Sequence, residues 1–96
     1  MIKHIVSFKL KEEAKDKATL IKEVLDNLPS KISQIKYYEV GINISESPAA
    51  FDIVLVSEFL NMDELHEYHI HPEHIKATDL IKLYRTTSMV VDYEMV

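Results

Sequence analysis

The sequence predicts an α+β fold, a four-stranded antiparallel sheet built in the order strand, helix, strand, strand, broken helix, strand. Three observations carry this. Four short apolar or alternating runs sit at the two ends and in the middle of the chain, at the length and period that strands require. Two stretches between them repeat apolar residues at three- and four-residue steps, the spacing of a helix with one buried face. The second stretch is interrupted by His71-Pro72, a pair that ends one helix and suits the start of another.

Ile2 to Leu10 alternates, with His4, Val6, Phe8 and Leu10 on one side and Lys3, Ile5, Ser7 and Lys9 on the other. This is the first strand. From Glu12 to Leu28 the period changes, and Ala14, Ala18, Ile21, Leu25 and Leu28 recur as a helical stripe with Val24 beside them. No strong N-cap marks the start of this helix, and Pro29 ends it. Ile35 to Ile44, with Tyr37, Tyr38 and Val40, reads as the second strand, and the "SESPA" that follows as a turn. Phe51 to Phe59 is the third strand, apolar on both faces: Phe51, Ile53, Leu55 and Phe59 share one, Val54 and Val56 the other.

Asn61 is a good N-cap for the next helix, and Glu64 stands where a capping box needs it. His71 precedes a proline and is pushed to extended angles, so this helix ends near Ile70. Pro72 opens a further helix whose stripe, Ile75, Thr78, Ile81 and Tyr84, runs to about Arg85. Thr86 to Tyr93, with Met89, Val90 and Val91, is the last strand.

This βαββαβ order is the split βαβ pattern of ferredoxin-like folds, with helices on one face of the sheet and the other face open. Ile5, Val54 and Val56 then fall on the open face, which therefore needs a cover. The same face of a second copy is the simplest cover and gives a homodimer, a dimeric α/β barrel with two-fold symmetry.

Length and composition narrow the function classes. Residues 1–96 make one domain, of a size that buries only about 60–65% of its unfolded surface. With 47% hydrophobic and 28% charged residues the chain is of the soluble globular type. A net charge of −5 with scattered lysines excludes the basic stripe that nucleic acid requires. No apolar run approaches the roughly 18 residues of a membrane span. The alternating N-terminus has no apolar core of the kind a signal peptide carries. Without cysteine there is no disulfide framework and no thiolate chemistry, which suits the cytoplasm. The expected partners are a second copy of the chain and a small apolar molecule, with neither nucleic acid nor membrane.

The chain resembles the stress-responsive α/β-barrel family, the Dabb domains. The opening "IKHIVSFKLKEE" is similar to the family's first strand, with His4 at its characteristic histidine. "YEVGINIS", "FDIVLVSEF" and "VVDYE" resemble the other strands, and "YHIHPEH" the family's Tyr-x-x-His-Pro-x-His segment. The resemblance implies a dimeric α+β barrel with a cavity between sheet and helices. A more loosely similar plant branch includes polyketide cyclases such as olivetolic acid cyclase. There the residues matching Tyr68 and His74 carry an aldol-type ring closure, and the one matching His4 sits nearby. Some plant members hold magnesium, but this sequence has no dedicated carboxylate cluster for it. A likeness to oxygenases and haem-degrading enzymes rests on the barrel fold alone.

Three histidines and a tyrosine within "YHIHPEH" admit three readings. As a zinc site the spacing fits no familiar pattern: His66 and His69 are three apart, His71-Pro72 breaks the helix, and His74 belongs to the next one. Neither metal nor cofactor is expected. As structure, Tyr68 is core with its hydroxyl bonded, His66 and His69 are edge or surface residues without a role, His71 serves the helix junction, and His4 is a satisfied core histidine. As catalysis, His74 in the first turn of its helix stays neutral and acts as a base, Tyr68 polarises a carbonyl, and His4 supports them. In either reading with a ligand, Val6, Phe8, Ile53, Leu55, Leu65 and His71 are expected to line its pocket. Two functions stay open: a ligand-binding homodimer, and a cyclase or isomerase that abstracts a proton next to a carbonyl.

Overall fold

The computed structural model describes residues 1–96. Strands β1 (Ile2–Leu10), β2 (Tyr37–Ile42), β3 (Ile53–Phe59) and β4 (Arg85–Glu94) form one antiparallel sheet in the order β2-β3-β1-β4. Helices α1 (Ala18–Asp26), α2 (Met62–Ile70) and α3 (Pro72–Tyr84) cover one face of it. This is the ferredoxin-like α+β fold. The register places His4 between Ser57 of β3 and Asp92 of β4, in the middle of the sheet. The core lies between the layers: Val6, Phe8 and Leu10 meet Ile53, Leu55 and Phe59 from below, and Ile21, Leu25, Leu65, Tyr68 and Ile81 close over them.

The first helix departs from its expected span. Glu12–Lys17 is wound as a 3-10 helix, and α1 starts only at Ala18. Lys11 supplies no side-chain cap, and the Ala14 amide donates to the Lys11 carbonyl at 2.9 Å, a three-residue step. Asp52 tethers the same segment. Its carboxylate accepts from the Leu10 amide at 2.7 Å and from Lys15 Nζ at 2.9 Å. The far end also stops early, at Asp26. The chain then turns through Leu28 and Pro29 and buries Leu28 and Ile32.

The middle strands are shorter than their apolar runs. Phe51 does not share the face of Ile53 and Leu55: it precedes β3, and its ring lies 5.3 Å from Lys9 Nζ, a residue of the opposite face. The Asp52 amide donates to Phe8 O at 2.8 Å, so the chain joins the sheet one residue before β3 begins.

The broken helix forms as the His-Pro pair dictates. Asn61 caps α2, accepting from the Glu64 amide at 2.9 Å. The capping box stays half made, because the Glu64 carboxylate faces Lys36 at 4.0 Å. His71 is extended, with ψ 135°, and serves both helices: it ends α2, and its Nδ1 accepts from the Glu73 amide at 3.0 Å to cap α3. The buried arc of α3 runs through Ala77 and Ile81, flanked by His74 and Thr78, while Ile75 is 47% exposed. Thr78, Ile81 and Tyr84 thus face inward as expected, and only Ile75 departs from the stripe, its place taken by His74 and Ala77.

Candidate functional site

Above the sheet the two layers do not close everywhere. A cavity of about 170 Å³ lies between β1, β3 and β4 below and the helices above. Its floor is Val6, Phe8 and Leu55; its roof is Leu25, Ala77 and Ile81. At one end stand His4, Tyr68, His69 and His74. Arg85, Ser88 and Val90 of β4 line its edge. The void lies on this side because β4 is the sheet's outer strand: every residue from Thr86 to Glu94 is exposed, so no helix lies squarely over it.

Of the expected site residues, His4, Tyr68 and His74 line this one cavity, with Val6, Phe8 and Leu55. Ile53, Leu65 and His71 do not. Ile53 and Leu65 are sealed in the packed core, at 2% and 1% exposure. His71 is engaged in capping α3.

The rings at the closed end touch one another. The Tyr68 and His74 centroids are 4.4 Å apart, those of His4 and His69 5.1 Å, and those of His69 and His74 5.4 Å. The orientations of His74, His4 and Tyr68 are each fixed by a hydrogen bond. His74 Nδ1 lies 3.0 Å from the His69 carbonyl. A carbonyl only accepts, so Nδ1 carries the proton and Nε2 keeps its lone pair. His4 Nδ1 donates to the Asp92 carboxylate, directly opposite it in the register. The hydroxyls of Tyr38 and Tyr68 are 2.8 Å apart.

Burial sets the electrostatics. It pushes His74 below the ordinary imidazole range, against the hydrogen bond to the His69 carbonyl, which raises it; the charges of the His69, His4 and His71 rings add to the lowering. His69 is lowered by burial and by His4, against the pull of Asp92. The Tyr68 phenol is pushed up to about 12 by burial, so it is a donor at neutral pH. Tyr38 is raised further by burial and by Tyr68. Nowhere do three or more His, Asp or Glu side chains converge in a geometry that could hold a metal ion.

Sequence reasoning missed four participants. His69 shares a helical arc with Leu65 and Tyr68, and that arc faces the cavity, although the residue reads as an edge position. Asp92 was signalled by its place: an acid inside the apolar run of the last strand, in step with Val90. Tyr38 follows from alternation with the buried Val40. Arg85 closes a helix stripe, and nothing in its sequence neighbourhood points inward.

A histidine on the first strand, facing the tyrosine and histidine of a Tyr-x-x-His-Pro-x-His segment across one cavity, is the arrangement the resemblance implied. The family model of the stress responsive A/B barrel domain, Dabb, matches residues 2–95. The chain belongs to this family. A dimeric, ferredoxin-like protein of unknown function from Bacteroides fragilis is 38% identical and superposes with a TM-score of 0.89, covering 98% of this chain and 95% of that one. An uncharacterized protein of Streptomyces coelicolor is 31% identical over 97 residues, which is 98% of this chain and 99% of its own length. A stress-response A/B barrel domain-containing protein of Arabidopsis thaliana is 32% identical over 84 residues, 80% of this chain; the match spans 30% of the plant protein. No helix of this Dabb domain is long and apolar enough to cross a membrane.

Proposed function

We propose that this Dabb domain is a homodimer in which each protomer holds a small, largely apolar molecule between its sheet and its helices. The cavity carries the ligand reading. Its floor and roof are apolar, and a phenol and three imidazoles converge at one end, the usual composition of a small-molecule site. The dimer reading is supported by the open face of the sheet. Ile5, Val54 and Val56 lie there beside Met89, Val91 and Tyr93, the last three 48%, 49% and 45% exposed. An apolar surface of this extent marks an interaction site. The Bacteroides fragilis relative is described as dimeric, in keeping with this. A cytoplasmic location suits the absence of cysteine. Light scattering coupled to size exclusion tests the dimer: the expected mass is twice 11.1 kDa, and a clean monomer at micromolar concentration overturns it. Titration with single-ring aromatics, followed through the methyl resonances of Val6, Leu55 and Ile81, tests the cavity. Methyls that stay still at millimolar ligand overturn it.

A second reading, proton abstraction next to a carbonyl, is favoured by the His74 tautomer. The ring is neutral, its Nδ1 proton is held by the His69 carbonyl, and its Nε2 is free to accept a proton. If Tyr38 donates to Tyr68, the Tyr68 proton is free to point at a developing enolate oxygen. His4, oriented by Asp92, supports them. The reading transfers the cyclase branch's chemistry residue by residue onto His74, Tyr68 and His4, and the His74→Ala variant described below tests it.

A further inference from the structure

Arg85 is the only arginine in the chain, and no other lysine or arginine lines the cavity. The topology sets it apart from the histidines. α3 runs from Pro72 to Tyr84, and β4 returns alongside β1, pairing Arg85 with Leu10, Ser88 with Phe8 and Asp92 with His4. Ser88 and Asp92 are four residues apart on β4, roughly 13–14 Å at about 3.4 Å per residue. The cavity therefore has a guanidinium and a hydroxyl at one end, an apolar middle, and the imidazole and phenol cluster at the other.

The guanidinium is also without a partner. Lys3, Lys15, Lys22, Lys31, Lys36 and Lys76 each form an ion pair. Lys9 and Lys17 sit over aromatic rings, and Lys11 donates to the Leu83 carbonyl. That leaves Lys82, which is exposed, and Arg85, which is half-buried against the cavity. A guanidinium is a planar fork that matches a carboxylate through two parallel bonds. One fork beside one hydroxyl suits a singly charged planar group better than a phosphate dianion. Size narrows the rest: a dry cavity of roughly 150 Å³ takes a benzene ring, so this one takes a body of about one ring.

We propose that Arg85 anchors the carboxylate of a small organic acid whose single ring or short branched chain lies over Phe8, Leu55 and Ile81 and whose far end meets Tyr68 and His74. This names the ligand class of the cavity and rests on the reading of that cavity as a ligand site. It gives the two polar ends of the void separate tasks, one holding charge and the other meeting the ligand's neutral end.

The test compares acids with their uncharged isosteres. Phenylacetate and 3-phenylpropionate, each with its primary amide, are titrated into the protein, and the Leu55 and Ile81 methyls are followed. Each acid should bind at least about tenfold more tightly than its amide, one charge-assisted bidentate contact's worth of discrimination. Arg85→Gln should erase that preference by weakening the acid alone, and Arg85→Lys should keep part of it. An amide that binds as tightly as its acid, or an acid whose affinity survives Arg85→Gln, overturns the anchor and leaves the ligand site standing. Phenyl phosphate binding as tightly as the acids overturns the choice of carboxylate. If neither acids nor amides move these methyls, the ligand site itself falls, and the anchor with it.

Discussion

Both faces of the sheet carry apolar residues, the helix face more of them, and their fates are opposite. On the helix face Val6, Leu55 and Phe59 are 8%, 2% and 0% exposed. On the other face Val54, Met89 and Val91 are 36%, 48% and 49% exposed, although Val54 is the neighbour of Leu55 on the same strand. Strand alternation tells which residues travel together, and it does so for both faces at once. It does not tell what lies above them. One cover is encoded in the chain as three helices; the other face is left without one.

The sharpest way to break this contrast is to delete a ring on the covered face. Phe59 is fully buried, and its centroid lies 4.9 Å from that of Tyr68. Phe59→Ala removes that packing and leaves a void that the close-set helices cannot fill, at a cost of about 3–5 kcal/mol. Urea denaturation measures it. A loss below 1 kcal/mol would mean that the layer collapses onto the gap.

On the open face the same severity should appear as loss of association. Val54→Asp or Val56→Asp places a carboxylate with no partner at the centre of the proposed dimer surface. The dissociation constant should rise at least about a hundredfold, near 2.7 kcal/mol. Because both residues point away from the helices, the protomer should keep its fold, read by unchanged circular dichroism at matched dilution. A variant that still elutes as a dimer at micromolar concentration would exclude this face as the contact.

The contrast also explains what could be read from the sequence. β1, the ends of α2 and the break at His71-Pro72 were set by local rules: strict alternation, an asparagine cap and a proline. The 3-10 winding of Glu12–Lys17 was not, because it depends on Asp52, over thirty residues away, reaching Leu10 and Lys15. The candidate site divides along the same line. His4 and Tyr68 could be placed by periodicity within one element. His69 and Asp92 gain their roles only from the ring across the cavity or the strand alongside. Ile32 is 1% exposed in a turn that has no period to betray it.

A smaller effect is expected from pH. Burial keeps His69 and His74 below the ordinary value, so the folded protein holds both neutral where the unfolded chain, titrating near 6.5, begins to take up protons. The unfolded state then binds more protons, and stability rises with pH through that window. The contribution is complete above about pH 6.5 and is lost as the pH falls through the lowered folded values. The urea midpoint should therefore drop between neutral pH and pH 5.5, and the drop should shrink in the His69→Gln, His74→Gln double variant. An unchanged slope would assign the acid sensitivity to other groups.

The smallest stability effect should come from the residue with the largest functional one. His74 borders a void on one side and makes a single hydrogen bond, to the His69 carbonyl. Its removal leaves no new sealed cavity, because the space it vacates joins one that already exists. The bond to a backbone carbonyl contributes about 1 kcal/mol at most, and relief from burying an imidazole offsets part of that. His74→Ala should therefore change the unfolding free energy by no more than about 1 kcal/mol, against the several expected for Phe59→Ala. If the cavity abstracts protons, the same variant loses exchange or turnover of an enolisable ligand entirely, since no other ring at that end has a free nitrogen held by the same carbonyl. Hydrogen–deuterium exchange at the carbon next to the ligand's carbonyl reads this directly. A variant that loses several kcal/mol would make His74 a packing residue. One that keeps both its stability and the exchange rate would move the base elsewhere, with His4 the first candidate because Asp92 already fixes its proton on Nδ1.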